Sequence, residues 1–170
     1  GKGNAWPVSF VGPALFIFST GDEDPAAWGL KTENRYYFPG KENNDVYGCA
    51  KIPNDWILDA VEIYGSDYVT ESLPRFTTTL DAGYAVQTNK QGYSIYRNVD
   101  QEATEALSEN AGKIVYGYAL GTLDYKGAQS TDPSGIDAEA SIRNGARILY
   151  LDTNNSSNDF HQRAKASLKE

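Results

Sequence analysis

The sequence predicts an all-β domain, built as an antiparallel sandwich or barrel. Three observations predict it. Sixteen Gly and seven Pro punctuate the chain every few residues. The apolar stretches between them are short and follow a two-residue period. No stretch alternates a strand pattern with a long helical one, as a parallel α/β sheet would require.

The strands can be placed in order. "GPALFIFS" (12–19) is bounded by Gly-Pro before it and an acidic turn after it, and "RYYFPG" (35–40) is a second, weaker candidate. "NDWILDAVEIYG" (54–65) is the strongest. On its two-residue period Trp56, Leu58, Ala60, Glu62 and Tyr64 share one face, while Ile57, Asp59, Val61 and Ile63 share the other. Two largely apolar faces predict a central strand covered on both sides. "GYAVQT" (83–88), "GYSIYRN" (92–98), "GKIVYGYAL" (112–120) and "ARILYLDT" (146–153) complete the set. One short surface helix is expected at "DQEATEALSEN" (100–110), capped by Asp100 and closed by Gly112. "KGAQSTDPSGIDAEAS" (126–141) lacks periodicity and reads as an exposed loop.

Composition narrows the function. A chain of 170 residues with 40% hydrophobic and 22% charged residues is expected to form a single globular domain over 1–170. A net charge of -8 disfavours nucleic acid and anionic lipid as partners. The longest apolar run, "ALFIF", is too short to span a bilayer. One cysteine, Cys49, excludes an intrachain disulfide, and it is expected to be packed and inert. With no methionine, the chain reads as a fragment or mature part of a longer protein.

Catalytic patterns are scarce. The one histidine, His161, stands in a polar C-terminal stretch and reads as a solvated tail residue, and no nucleophile-elbow motif accompanies it. Asp59 and Glu62 point to opposite faces and cannot form a catalytic pair with each other. Asp59 reads as structural, a carboxylate pinning its strand with Arg97 or Arg143 as partner.

Two binding patterns remain. "LDTNNSSNDF" (151–160) concentrates oxygen donors, and Asp152, Asn154 and Asp159 are the candidate ligands for Ca²⁺, the one cofactor the sequence suggests. Its spacing departs from the EF-hand pattern, with Ser157 where Gly belongs and Arg163 where Glu belongs. The alternative is a turn whose Asx side chains bond their own backbone. Trp28, Tyr36 and Tyr37, with Tyr93 and Tyr96 beside Arg97, are the candidate glycan platform; the competing reading is that they are core.

"WILDAVEIYG", "GYSIYRN" and "LDTNNSSNDF" together resemble the second half of a lamin-tail-like domain. "GPALFIF", "WGLKT", "WILDAVE", "LDAG" and "DTNNSSNDF" are similar to the later part of an uncharacterised family of surface lipoproteins from Gram-negative gut commensals. The resemblance implies an immunoglobulin-like sandwich without known enzymatic activity, with Asp59, Arg97 and Asp152 in structural roles. The strands that open a lamin-tail domain are missing, and residues 99–145 form an insertion, so the sandwich is expected to be incomplete. An exposed sheet edge would then be open to a partner chain or a second copy. The expectation is a non-enzymatic, extracytoplasmic binding or adhesion module with a glycan or protein ligand at the cell surface. A structural assembly module and a carbohydrate-acting enzyme are the alternatives.

Overall fold

The computed structural model describes residues 14–42, 48–66, 76–87, 94–117 and 132–163. These residues are all-β in class. The strands are β1 (Ala14–Phe18), β2 (Arg35–Tyr37), β3 (Gly48–Ala50), β4 (Ile57–Gly65), β5 (Ala85–Gln87), β6 (Ser94–Arg97) and β7 (Phe160–Arg163). The helices are short: α1 (Pro25–Leu30), α2 (Gln101–Ala106), α3 (Ala138–Arg143) and α4 (Ser156–Asp159). The chain divides into two compact units, Phe16–Ala60 and the residues on either side of it.

The smaller unit is organised by aromatic packing. Asp24 caps α1 by accepting from the backbone N–H groups of Ala26 and Ala27, and Pro25 at the first helical position needs no donor. The helix turns Trp28 inward, where its ring meets Trp56 at 5.0 Å. β2 and β3 pair antiparallel, with Tyr36 opposite Cys49. Cys49 is exposed there, not packed. Cys49 shares its exposed face of the ribbon with Tyr36 opposite, and alternation along each strand sends neighbouring side chains to the other face.

The larger unit holds the end of β4, together with β5, β6, β7 and the three later helices. β4 and β5 pair in parallel, Ile63 opposite Ala85 and Tyr64 opposite Val86. β6 and β7 form an antiparallel ribbon, and β5 packs against both of its strands, a sandwich-like layering. Among the described residues Tyr64 is the largest wholly enclosed apolar side chain, with Tyr84 edge-on at 5.4 Å.

Much of this interior is polar. Glu62, Asn98, Thr104, Asn110, Asp132, Ser141, Asp159, His161 and Arg163 are all buried. Their partners are mostly backbone, which explains two failed strand predictions. In "ARILYLDT" the backbone bonds go to side chains: Arg147 N–H donates to Asn110 and Leu149 N–H to Thr104. Only the isolated bridge Val99–Tyr150 is strand-like. In 112–117 Val115 N–H donates to the Ser141 hydroxyl, and one bridge joins Tyr116 to Ile136. Residues 118–120 of that prediction lie outside the described residues.

One loop expectation is corrected, and one helix expectation holds. The described part of 126–141 is not an exposed loop: Asp132, Ile136 and Asp137 are buried, and Asp137 caps α3 by accepting from Ala140 N–H. The predicted helix forms as α2 with Asp100 at its cap, followed by a 3-10 turn at Ser108–Asn110 and Gly112 at φ 71°. It lies at the surface, exposed at Gln101, Glu102, Glu105 and Ala106, and is anchored through the buried Thr104.

Candidate binding site

The β6–β7 ribbon carries the most heavily functionalised residues of the larger unit. Its register places Tyr96 opposite His161 and Ser94 opposite Arg163 on one face, with Ile95, Arg97, Phe160 and Gln162 on the other. On the first face the Tyr96 ring lies between two partners. The Arg163 guanidinium sits 4.2 Å from its centroid, and the His161 ring stacks at 6.1 Å.

Arg163 is held from its far end by Glu139 of α3. The two terminal nitrogens donate to the two carboxylate oxygens at 2.7 and 3.1 Å, a bidentate pair. The Arg163 side chain is only 4% exposed and that of Glu139 26%, so the carboxylate is the half that meets solvent. Asp132, nearly enclosed, accepts from the backbone N–H groups of Val99 and Ser134.

His161 is a core residue, not a solvated tail. The Asn98 amide donates to Asn158 O, so its carbonyl oxygen is left to accept, at 2.6 Å, from His161 Nδ1–H. Burial above all pushes the imidazole down to about 4; Arg163 lowers it further, and the charges of Asp132 and Glu139 oppose the shift. The ring is therefore neutral at physiological pH.

These groups surround a cavity of about 310 Å³ lined by β6, β7, Asp132, α3 and Tyr150. That is the lower end of the range in which small ligands are held, about 300–1,000 Å³. Tyr150 stands at its mouth, 48% exposed. Burial first, then the charges of Glu139 and Asp132, raise its phenol above the ordinary value, so the hydroxyl stays a donor. A second cavity, about 460 Å³, opens between β5, α4 and β7 and is lined by Tyr84, Val86, Phe160 and Gln162. No charged side chain lines it.

The sequence-predicted residues fall elsewhere. Trp28 is buried against Trp56, so it offers no ring to a sugar; Tyr36 is half exposed, and Tyr37 has Arg35 over its ring at 5.3 Å. Tyr93 lies outside the described residues. Tyr96 does line the cavity, with Arg163 over its ring and His161 stacked beside it. Asp59 is half buried and accepts from its neighbour Ala60 N–H, whereas Arg97 stands 3.8 Å from Asp152 and over the Phe160 ring. Glu62 turns fully inward.

"DTNNSSNDF" resolves into a clasp. Asp159 accepts from Thr153 N–H, the Thr153 hydroxyl and Asn155 N–H, and Asn155 caps α4 through Ser157 N–H. Asn154, at φ 52°, presents its carbonyl to Ala82 N–H. Asp81 of "LDAG" accepts from both the N–H and the hydroxyl of Ser156, and from the N–H groups of Glu62 and Gly83. Gly83 must be glycine at this contact. A Cβ would overlap Asn155 Oδ1 and stand 2.6 Å from Ser157 Oγ. Of the three proposed cation ligands, Asp159 is thus engaged by its own loop, and Asp152 accepts from Asn154 N–H beside Arg97. Among the described residues no group of three His, Cys, Asp or Glu side chains gathers as a metal site would.

Asp132, Glu139, His161 and Arg163 were missed because each stands in a stretch without periodicity. One signal was present: Asp137 followed by Ala-Glu-Ala-Ser is a capped helix start, and it puts Glu139 in the first turn. Residues 1–117 match the family model DUF4876, whose description is "protein of unknown function". The chain belongs to this DUF4876 family. No curated protein and no solved structure matches it. The match includes β6, but Asp132, Glu139, Tyr150, His161 and Arg163 all follow its last residue.

Proposed function

We propose that this DUF4876 protein is a non-enzymatic binding module acting outside the cytoplasm, at the cell surface, and that its ligand is a glycan. The observation carrying the reading is the cavity on the Tyr96–His161 face. It gathers a half-exposed aromatic ring, Tyr150, and an oriented carboxylate, Glu139 of α3, around the β6–β7 ribbon. Sugars ask for that pairing, an apolar ring for their C–H faces and fixed acceptors for their hydroxyls. The non-enzymatic reading rests on how the two carboxylates of the cavity are used. Glu139 accepts from Arg163 and Asp132 from backbone N–H groups, whereas glycoside hydrolysis asks one carboxyl to hold a proton.

The same proposal includes an immunoglobulin-like sandwich akin to the lamin-tail domain and an adhesive role; both rest on the sequence resemblance alone. Screening the purified chain on a glycan array, beside Tyr150→Ala, tests the reading. Binding that disappears in the variant supports it; array binding indifferent to Tyr150 removes the cavity from the account.

A second reading, an assembly module, is favoured by one observation. β1 and β4 expose Phe16, Ile17, Phe18 and Leu58 within the smaller unit, Ile17 at 62% and Leu58 at 65%. Apolar strand surface of this kind invites a second chain. Light scattering that shows a monomer at all concentrations tested would set this reading aside.

A further inference from the structure

We propose that Asn144 is a site of spontaneous chemical modification, a deamidation site that the fold keeps closed and that is released when the last turn of α3 opens. The sequence contains one Asn-Gly step, Asn144–Gly145, within "RNG". Asparagine is thermolabile, and a following glycine carries no side chain to shield its backbone nitrogen. In the reaction the Gly145 nitrogen bonds to Cγ of Asn144, and the Cγ–Nδ2 bond breaks. The proton lost by Gly145 leaves, by way of solvent, with Nδ2 as ammonia. Water then opens the resulting succinimide at either carbonyl and gives an aspartyl or an isoaspartyl link at position 144.

Each group that must move is held in the fold. Asn144 closes α3, its N–H donating to Ala140 O at 3.0 Å, while its Nδ2, the leaving group, donates to Lys113 O at 2.9 Å. The attacking nitrogen is engaged as well, since Gly145 N–H donates to Ile142 O at 2.9 Å. Crowding plays no part: a Cβ on Gly145 would meet only Lys113 Cδ, at 4.0 Å. Behind this turn stands Ser141, wholly buried, whose hydroxyl accepts from Val115 N–H and donates to Val115 O. The gate is therefore a set of hydrogen bonds that opens locally, and Asn144 is exposed, so water is at hand when it does. Conversion is felt by the helix. A carboxylate at position 144 turns the donor facing Lys113 O into an acceptor, and negative charge is disfavoured at a helix C-terminus. The isoaspartyl form also lengthens the main chain by one atom just before the Gly145 bond. α3 supplies Ala138 and Glu139 to the cavity wall, so ageing at this one bond loosens that wall whatever the cavity binds.

The test incubates the full chain at mildly alkaline pH, folded and in urea, and follows position 144 by peptide mass mapping and isoaspartate detection. The expected result is conversion at least about tenfold slower in the folded chain than in urea. Asn144→Gln, whose longer side chain closes the ring poorly, should abolish the mass gain. Ser141→Ala, which removes the anchor behind the turn, should speed conversion of the folded chain; circular dichroism checks its fold. If that variant does not fold, the comparison of wild type with and without urea still decides the question. Converted chain, separated from fresh chain, should melt at a lower temperature. Equal rates in the folded and unfolded chain overturn the gate. No conversion at position 144 in urea overturns the site, and an unchanged melt of the converted chain overturns its link to α3. None of these readouts involves a glycan, so failure here is distinct from failure of the binding reading.

Discussion

At the scale of the residue, His161 shows how far a side chain can depart from its sequence context. The stretch "DFHQRAKASLKE" is polar enough to read as solvated, yet β7 alternates, and His161 and Arg163 take its inward positions. Arg163 is buried because Glu139 and the Tyr96 ring replace its water; without them the charge would stay at the surface. None of these partners is near in sequence, so nothing local announces the arrangement. His161 carries a pH signature. Its folded pKa of about 4 lies below the ordinary 6.5, so the unfolded chain binds the proton first as pH falls. The stability it contributes is complete above pH 6.5 and is lost as pH falls toward about 4. With allowance for screening the loss amounts to about 2 kcal/mol. Urea denaturation of wild type and His161→Asn at pH 7.5 and 4.5 should show a smaller acid loss in the variant. Equal losses would place His161 outside the acid response.

At the scale of the element, the residues of the conspicuous motifs were legible, but their purpose was not. "LDAG" and "DTNNSSNDF" stand some seventy residues apart and lock each other, Asp81 to Ser156 and Tyr84 to Ser157. The Asx-turn reading of the second motif anticipated the bonds of Asp159 with its own loop; the distant partner had no signal in periodicity. Strands were legible where alternation coincided with a ladder, as in β4 and β6, and misread where side chains supplied the partners, as in "ARILYLDT". Asp81→Ala strands four donors in a buried place and should cost on the order of 3 kcal/mol, read as a shift of the denaturation midpoint. A change below about 0.5 kcal/mol would mean that the clasp is decorative. The same geometry predicts that thermal melts in EDTA and in millimolar Ca²⁺ coincide, because Asp159 is already saturated by its loop. A rise of several degrees in Ca²⁺ would restore the cation reading.

At the scale of the molecule, the all-β class was legible from turn spacing alone, whereas the parallel pairing of β4 with β5 was not. Parallel pairing depends on a crossover, and β4 reads the same whichever way its neighbour runs. The family match ends at residue 117, yet buried groups before that point depend on residues after it. Asn98 meets His161 and Asn158, Asn110 meets Arg147, and Val99 N–H meets Asp132. A chain cut after Gly117 would leave these groups unpaired and should lose the cooperative unfolding transition of the full chain in circular dichroism. A truncated chain that melts as sharply would show that the matched region is self-sufficient.

The central claim is that the Tyr96–His161 face of the ribbon, and not the Tyr36 surface, receives the ligand. Amide and side-chain NMR of the labelled chain, titrated with a glycan that the array shows to bind, tests it most directly. The account predicts perturbations concentrated at Tyr150, Glu139 and His161, with Tyr36 and Tyr37 unmoved. Perturbations centred on Tyr36 and Tyr37, with the cavity silent, would contradict it.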